Sequence, residues 1–158
     1  MNVTVHDIGL EAIDALAGVD TVCLFVPEDE RPLRGLAGFV DWRLSGMLSR
    51  VLMGDFFRGV AGDTVLMPSD SRIPAIRIFA VGLGPLQMLD GTRLADALKT
   101  AAEMLNRAKV TAVALEPPAH GFPDETRAHA FREAFLPGFE GDRLAVFAEK
   151  SLARLLTP

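Results

Sequence analysis

Two short stretches hold the residue types and spacings that could do chemistry: Gly82-Leu83-Gly84 and Glu116-Pro117-Pro118-Ala119-His120-Gly121. The first follows the apolar run Ile76–Val81. A glycine-rich turn after a buried strand can bring backbone N–H groups close to a phosphate. Pro85 removes one donor, however, and the next helical pattern begins only near Asp90-Gly91-Thr92. A tight strand-exit turn accounts for the same residues, and G-x-G alone does not separate the two readings. The second stretch closes another apolar run, Val110–Leu115, at the sheet edge where ligands of open α/β folds collect. There His120 could serve as an acid, a base or a ligand contact, with Glu116 as its partner. The bland alternative is a rigid proline-rich loop carrying a solvated histidine. Gly82, Gly84, Glu116 and His120 are the candidate ligand-binding residues, and a small nucleotide is the ligand class they suggest.

Nothing else in the chain gathers into a reactive set. Cys23 sits in the middle of Thr21–Val26 (TVCLFV), where it packs as a small hydrophobe. A nucleophilic thiolate would want an exposed, electropositive setting. His129 falls on a helical pattern as a surface residue, and His6 ends a short strand. One Cys and three scattered His make neither an internal disulfide nor a zinc site of the usual spacing. The acids lie in loops and on helix faces with no D-x-D or H-x-x-E cluster, so no catalytic residue, metal or cofactor is expected.

The elements that must position these stretches follow from periodicity. Val3–His6 alternates as a strand, and Asp7 can cap a helix marked by Ile8, Ala12 and Leu16 and ended at Gly18. Thr21–Val26 is a run of β-branched and apolar residues and reads as a strand buried on both faces. The mixed-charge loop that follows it, with Asp29, Glu30, Arg31 and Arg34, reads as solvated. From Leu36 to about Met53, the residues Ala37, Val40, Leu44, Met47, Leu48, Val51 and Leu52 form one apolar stripe. The spacing predicts a single long helix with Asp41, Arg43, Ser49 and Arg50 facing elsewhere. Thr64–Met67 and Ile76–Val81, with turn residues between them, predict an antiparallel hairpin. A second long helix runs past Leu94, Leu98 and Ala101, Val110–Leu115 is a strand, and Asp124–Phe135 is a helix with acids in its first turn. Leu144–Ala148 and Glu149–Leu156 supply a last strand and helix. Strands alternating with helices imply a mostly parallel, mixed six-stranded sheet covered on both faces, a three-layer α/β/α domain.

Composition bounds the rest. The chain has 158 residues, 49% of them hydrophobic, and a formal net charge of −5. That length fits one domain spanning residues 1–158, with a folded surface of about 7,700 Å² and a core adequate without cross-links. The acidic balance argues against nucleic acid or an anionic membrane as partner. No apolar run approaches the roughly 20 residues of a membrane span, and no export signal is visible at the N-terminus, so a cytoplasmic domain is expected. A mean hydropathy of +0.26 is high for a lone soluble monomer and suggests an apolar surface covered by a partner.

Four phrases in order carry a family resemblance: Asp41-Trp42-Arg43-Leu44-Ser45-Gly46 running into Leu48-Ser49; Gly54-Asp55-Phe56-Phe57-Arg58-Gly59; Gly62-Asp63-Thr64-Val65-Leu66-Met67-Pro68; and Arg77-Ile78-Phe79-Ala80-Val81-Gly82-Leu83-Gly84. The succession resembles the N-terminal domain of the cytosol-type leucyl aminopeptidases, a two-metal peptidase family, from about Thr21 to Leu115. The resemblance implies a fold similar to macro domains. Trp42, near Phe39, is either an anchor for a partner or packed beneath the 54–62 loop, and its place in a Trp-Arg pair that matches the family phrase favours packing. The resemblance does not imply peptidase activity, because the family's metal ligands and catalytic lysine lie in a separate C-terminal domain around an N-T-D-A-E-G-R signature. That signature does not occur here. The expectation is a stand-alone, non-catalytic relative acting as a protein-binding, oligomerisation or regulatory module, a homo-oligomer or the partner of another protein. The alternative is a macro-like binder or hydrolase of ADP-ribose or a related nucleotide.

Overall fold

The β-branched and apolar run that starts at Thr21 becomes the centre of the molecule. In the computed structural model, which describes residues 1–157, Thr21–Pro27 (β2) is buried at all seven positions. Its side chains alternate between two cores, because successive residues of a strand point to opposite faces. Val22, Leu24 and Val26 enter one core and Cys23 and Phe25 the other.

Five further strands assemble around it: β1 (Asn2–His6), β3 (Thr64–Pro68), β4 (Arg77–Gly84), β5 (Ala112–Leu115) and β6 (Arg143–Phe147). They form one sheet in the order β1-β6-β5-β2-β4-β3. All pairings are parallel except the expected hairpin, in which Thr64 faces Val81 and Pro68 faces Arg77. The folded surface of 7972 Å² is close to that expected from chain length.

The helices divide between the two faces. α1 (Leu10–Asp14), α2 (Gly35–Arg43) and α3 (Met47–Met53) cover one face through Ile13, Leu36, Val40, Leu48 and Leu52. α4 (Gly91–Arg107), α5 (Asp124–Ala130) and α6 (Lys150–Leu156) cover the other through Leu94, Leu98, Ala128 and Leu152. A π-helical turn, Phe131–Phe135, prolongs α5 and buries Phe131 and Phe135. This is the three-layer architecture predicted from the pattern of elements.

One predicted element is corrected. The long helix from Leu36 to Met53 is two helices, broken where Ser45 and Gly46 take φ of 56° and 78°. The chain tolerates that turn because glycine occupies the left-handed region without penalty. Asp41, expected to face away from the core, is buried and stabilises the break. Its carboxylate accepts from the amides of Leu48 at 2.8 Å and Ser49 at 3.2 Å, and from the Ser49 hydroxyl. Two first-turn amides of α3 that lack a helical partner are thereby satisfied. The spacing Asp41…Gly46-x-Leu48-Ser49 is thus the chemistry of a bend.

Candidate functional site

β2 and β5 are neighbours in the sheet, but the chain leaves them in opposite directions: β2 leads to α2 on one face and β5 to α5 on the other. Diverging connections at adjacent carboxyl ends open a crevice, the usual place for a ligand in such sheets. A cavity of about 290 Å³ lies there, lined by Glu30, Arg34, Gly35, Glu116 and His120 among others, with Cys23 and Phe25 below.

Glu116 and His120 therefore line one cavity, but they are not the pair the loop suggested: His120 faces Glu30 and Glu116 turns to the Leu36 amide. Glu116 leaves the end of β5 and crosses to α2, where its Oε1 accepts from the Leu36 amide at 2.9 Å. It stands where a side chain on Gly35 would be: a Cβ there would collide with Glu116 Oε1, and Gly35 has φ of 60°. The N-terminus of α2, the position in this crevice best suited to an anion, is already occupied by a carboxylate of the chain itself. Burial pushes the Glu116 carboxyl above its ordinary value, opposed by the Leu36 amide and the Arg127 guanidinium.

The imidazole of His120 is not solvated: its side chain is only 12% exposed, with Nε2 3.4 Å from Glu30 Oε1. Nδ1 is buried and has no hydrogen-bond partner among the described residues. Burial holds the imidazole below its usual value, against the raising effect of Glu30. The same burial rule raises the Cys23 thiol to about 12, leaving it the inert core residue its position suggested.

Two participants were not legible as such in the sequence. Glu30, read as part of a solvated loop, folds inward against His120 and is 12% exposed. Arg127, on α5, is buried and holds the loop from behind, donating to the carbonyls of Pro117 at 2.7 Å and Pro118 at 3.1 Å. It also reaches Asp124 at 3.3 Å and lies 3.8 Å from Glu116 Oε2. An arginine three residues after Asp124, beside Ala128 and Phe131, was the available signal for a buried cation.

Gly82 and Gly84 are not part of this cavity. Both belong to β4, which runs on to Gly84. The segment 59–63 crosses over them: the Gly82 amide donates to the Asp63 carbonyl at 2.8 Å and the Gly84 amide to the Gly59 carbonyl at 2.8 Å. The donors a phosphate would need are committed to the chain. Gly82 does line a separate, shallower depression of about 530 Å³ with Asp90, Arg93 and Asp96. Among the described residues, no group of three or more His, Cys, Asp or Glu is arranged to hold a metal ion, and no helix is long and apolar enough to cross a membrane.

Residues 21–143 match the cytosol aminopeptidase family, N-terminal domain. The chain belongs to that family. No curated protein matches it in sequence. Among solved structures, this aminopeptidase N-terminal domain is similar to the Oceanobacillus iheyensis macrodomain with ADP, at 13% identity and a TM-score of 0.71, over 98% of this chain and 86% of that one. It is also similar to a Trypanosoma brucei macrodomain in complex with ADP-ribose, at 12% identity and a TM-score of 0.68, over 98% and 67%. The macrodomain of Thermus aquaticus DarG gives 14% and 0.67, over 94% and 100%. The aminopeptidase N-terminal domain thus has a macrodomain-like fold.

The raised Glu116 value has a testable sign. A carboxyl whose folded value lies above its unfolded one contributes stability at low pH that is lost as pH rises through the folded value. Glu116→Gln keeps an acceptor for the Leu36 amide and removes the buried charge. We expect its melting temperature at pH 7 to equal or exceed the wild type's, and the gap to close on acidification through the raised Glu116 range. A variant that melts lower by the same amount at pH 7 and pH 4 would contradict this account.

Proposed function

We propose that this aminopeptidase N-terminal domain is a non-catalytic protein-interaction module that works through the outer surface of α2. The observation that carries the reading is Trp42. The family phrase suggested an indole packed beneath the 54–62 loop; instead the residue is 73% exposed, with Phe39 three positions earlier on the same helix and also exposed. Shallow grooves of about 480 Å³ and 380 Å³ flank the indole, both lined by Leu33 and Gly38. An exposed tryptophan beside apolar grooves is the composition of an interface centre. Met53 and Phe56, 84% and 85% exposed, add apolar surface beyond α3. Self-association is the form to test first. Light scattering over a concentration series should show a species heavier than the monomer that Trp42→Ser abolishes, with melting unchanged because the site is superficial. A monomer at every concentration, combined with no protein partner retained by the wild type and lost by Trp42→Ser, would overturn the proposal.

A second reading, nucleotide binding in the β2–β5 crevice, is favoured by the crevice's place at the strand ends and by the ADP-ribose in the Trypanosoma brucei neighbour. Glu116 on the α2 amide and Glu30 beside it count against it, since both would repel a diphosphate. Calorimetry with ADP-ribose decides: a flat titration at millimolar ligand removes this reading.

A further inference from the structure

The β2–β5 crevice is short of hydrogen-bond donors. Glu30 and Glu116 are only 12% and 16% exposed, and a buried carboxylate is costly unless paired and hydrogen-bonded. Among the described residues, Glu30 has no partner beyond His120 at 3.4 Å. Glu116 has one short hydrogen bond, through Oε1, while its Oε2 is 3.8 Å from Arg127. Arg127 directs its shorter contacts to Pro117, Pro118 and Asp124. His120 faces Glu30 through Nε2, and its buried Nδ1 has no hydrogen-bond partner among the described residues. Arg34 lines the rim, but it is exposed and makes no ion pair among the described residues. Glu149 adds a further negative charge near Glu116.

Glu30, Arg34, Glu116 and His120 line one cavity of about 290 Å³, at the small end of the roughly 300–1,000 Å³ that ligand pockets occupy. We propose that this crevice is a binding site for a small organic cation, an ammonium or guanidinium group that donates hydrogen bonds to Glu30 and Glu116. Such a ligand supplies both what the carboxylates lack, positive charge and N–H donors, and charge-assisted bonds of this kind are the strong ones. The α2 amide, satisfied by Glu116, offers nothing to an anion. The site is independent of the Trp42 surface, so failure of either proposal leaves the other standing.

The test is an amide-shift NMR titration of the full chain with methylguanidinium chloride or ethylammonium chloride, against tetramethylammonium chloride and pyrophosphate at matched ionic strength. Methylguanidinium or ethylammonium should produce saturable shifts confined to residues 30–37 and 116–121. Tetramethylammonium, a cation without N–H donors, should produce none. Glu30→Gln, at a side chain that bonds no backbone amide, should weaken binding about tenfold. Glu116→Gln, which keeps the Leu36 contact, should weaken it similarly. Shifts that do not saturate or that scatter over surface carboxylates, equal binding of tetramethylammonium, or saturable pyrophosphate shifts at these residues would each overturn the assignment.

Discussion

Gly82→Ala is expected to lower stability by about 3–5 kcal/mol, enough to lower the melting temperature by roughly 10 °C or more. The cause is steric. Gly82 lies inside β4, buried, where the chain from Gly59 to Asp63 passes directly over it. A methyl group there would strike the Val60 carbonyl oxygen and the Gly59 carbonyl. Those are backbone atoms, so relief requires moving the whole crossing. Gly59 itself is held at φ of 87°, where a Cβ would come within 2.8 Å of the Pro27 and Val26 carbonyl oxygens. The same segment is thus closely seated against β2 as well as β4. Denaturant melts of Gly82→Ala and of Gly91→Ala measure the effect. Gly91 has open space around it, so its variant should stay within about 1 kcal/mol of wild type. A Gly82→Ala loss no larger than the Gly91→Ala change would show that the crossing can yield.

The second large effect is expected at Asp41. Asp41→Ala strips the acceptor from the amides of Leu48 and Ser49 and from the Ser49 hydroxyl, all at the start of α3. Leaving buried donors without partners, together with loss of the cap, should cost about 2–3 kcal/mol. Asp41→Asn retains one carbonyl oxygen and should recover part of that. Hydrogen exchange at Leu48 and Ser49 locates the loss: both amides should exchange faster in Asp41→Ala. Unchanged exchange there, with stability intact, would mean the bend holds without the carboxylate.

What could be read from the sequence follows the range of the interactions involved. β2 was legible because its seven buried residues are consecutive, and the hairpin because its strands and turn are local. The break between α2 and α3 was hidden by the core itself. Leu44 and Leu48 remain on one apolar stripe across it, so periodicity continues while the axis changes. Only Asp41 and Gly46 record the turn, and an aspartate on a helical pattern reads as surface. At the crevice, Glu116 and His120 were visible as a strand-end loop. Glu30 was not, because its partner His120 is remote in the chain and nothing in a mixed-charge loop says which acid turns inward. Trp42 was placed beneath a loop by the family phrase, over the alternative of a partner anchor, yet its position on α2 points it away from both cores.

Both ends of α2 are now accounted for, and together they have a mechanical consequence. The first turn is fastened to β5 through Leu36 and Glu116, and the last turn carries Trp42 into solvent. Nine residues of helix make a stiff rod about 13 Å long. A load applied at the indole is therefore borne along the whole helix, by the core side chains Leu36, Ala37 and Val40 as well as by the Glu116–Leu36 bond.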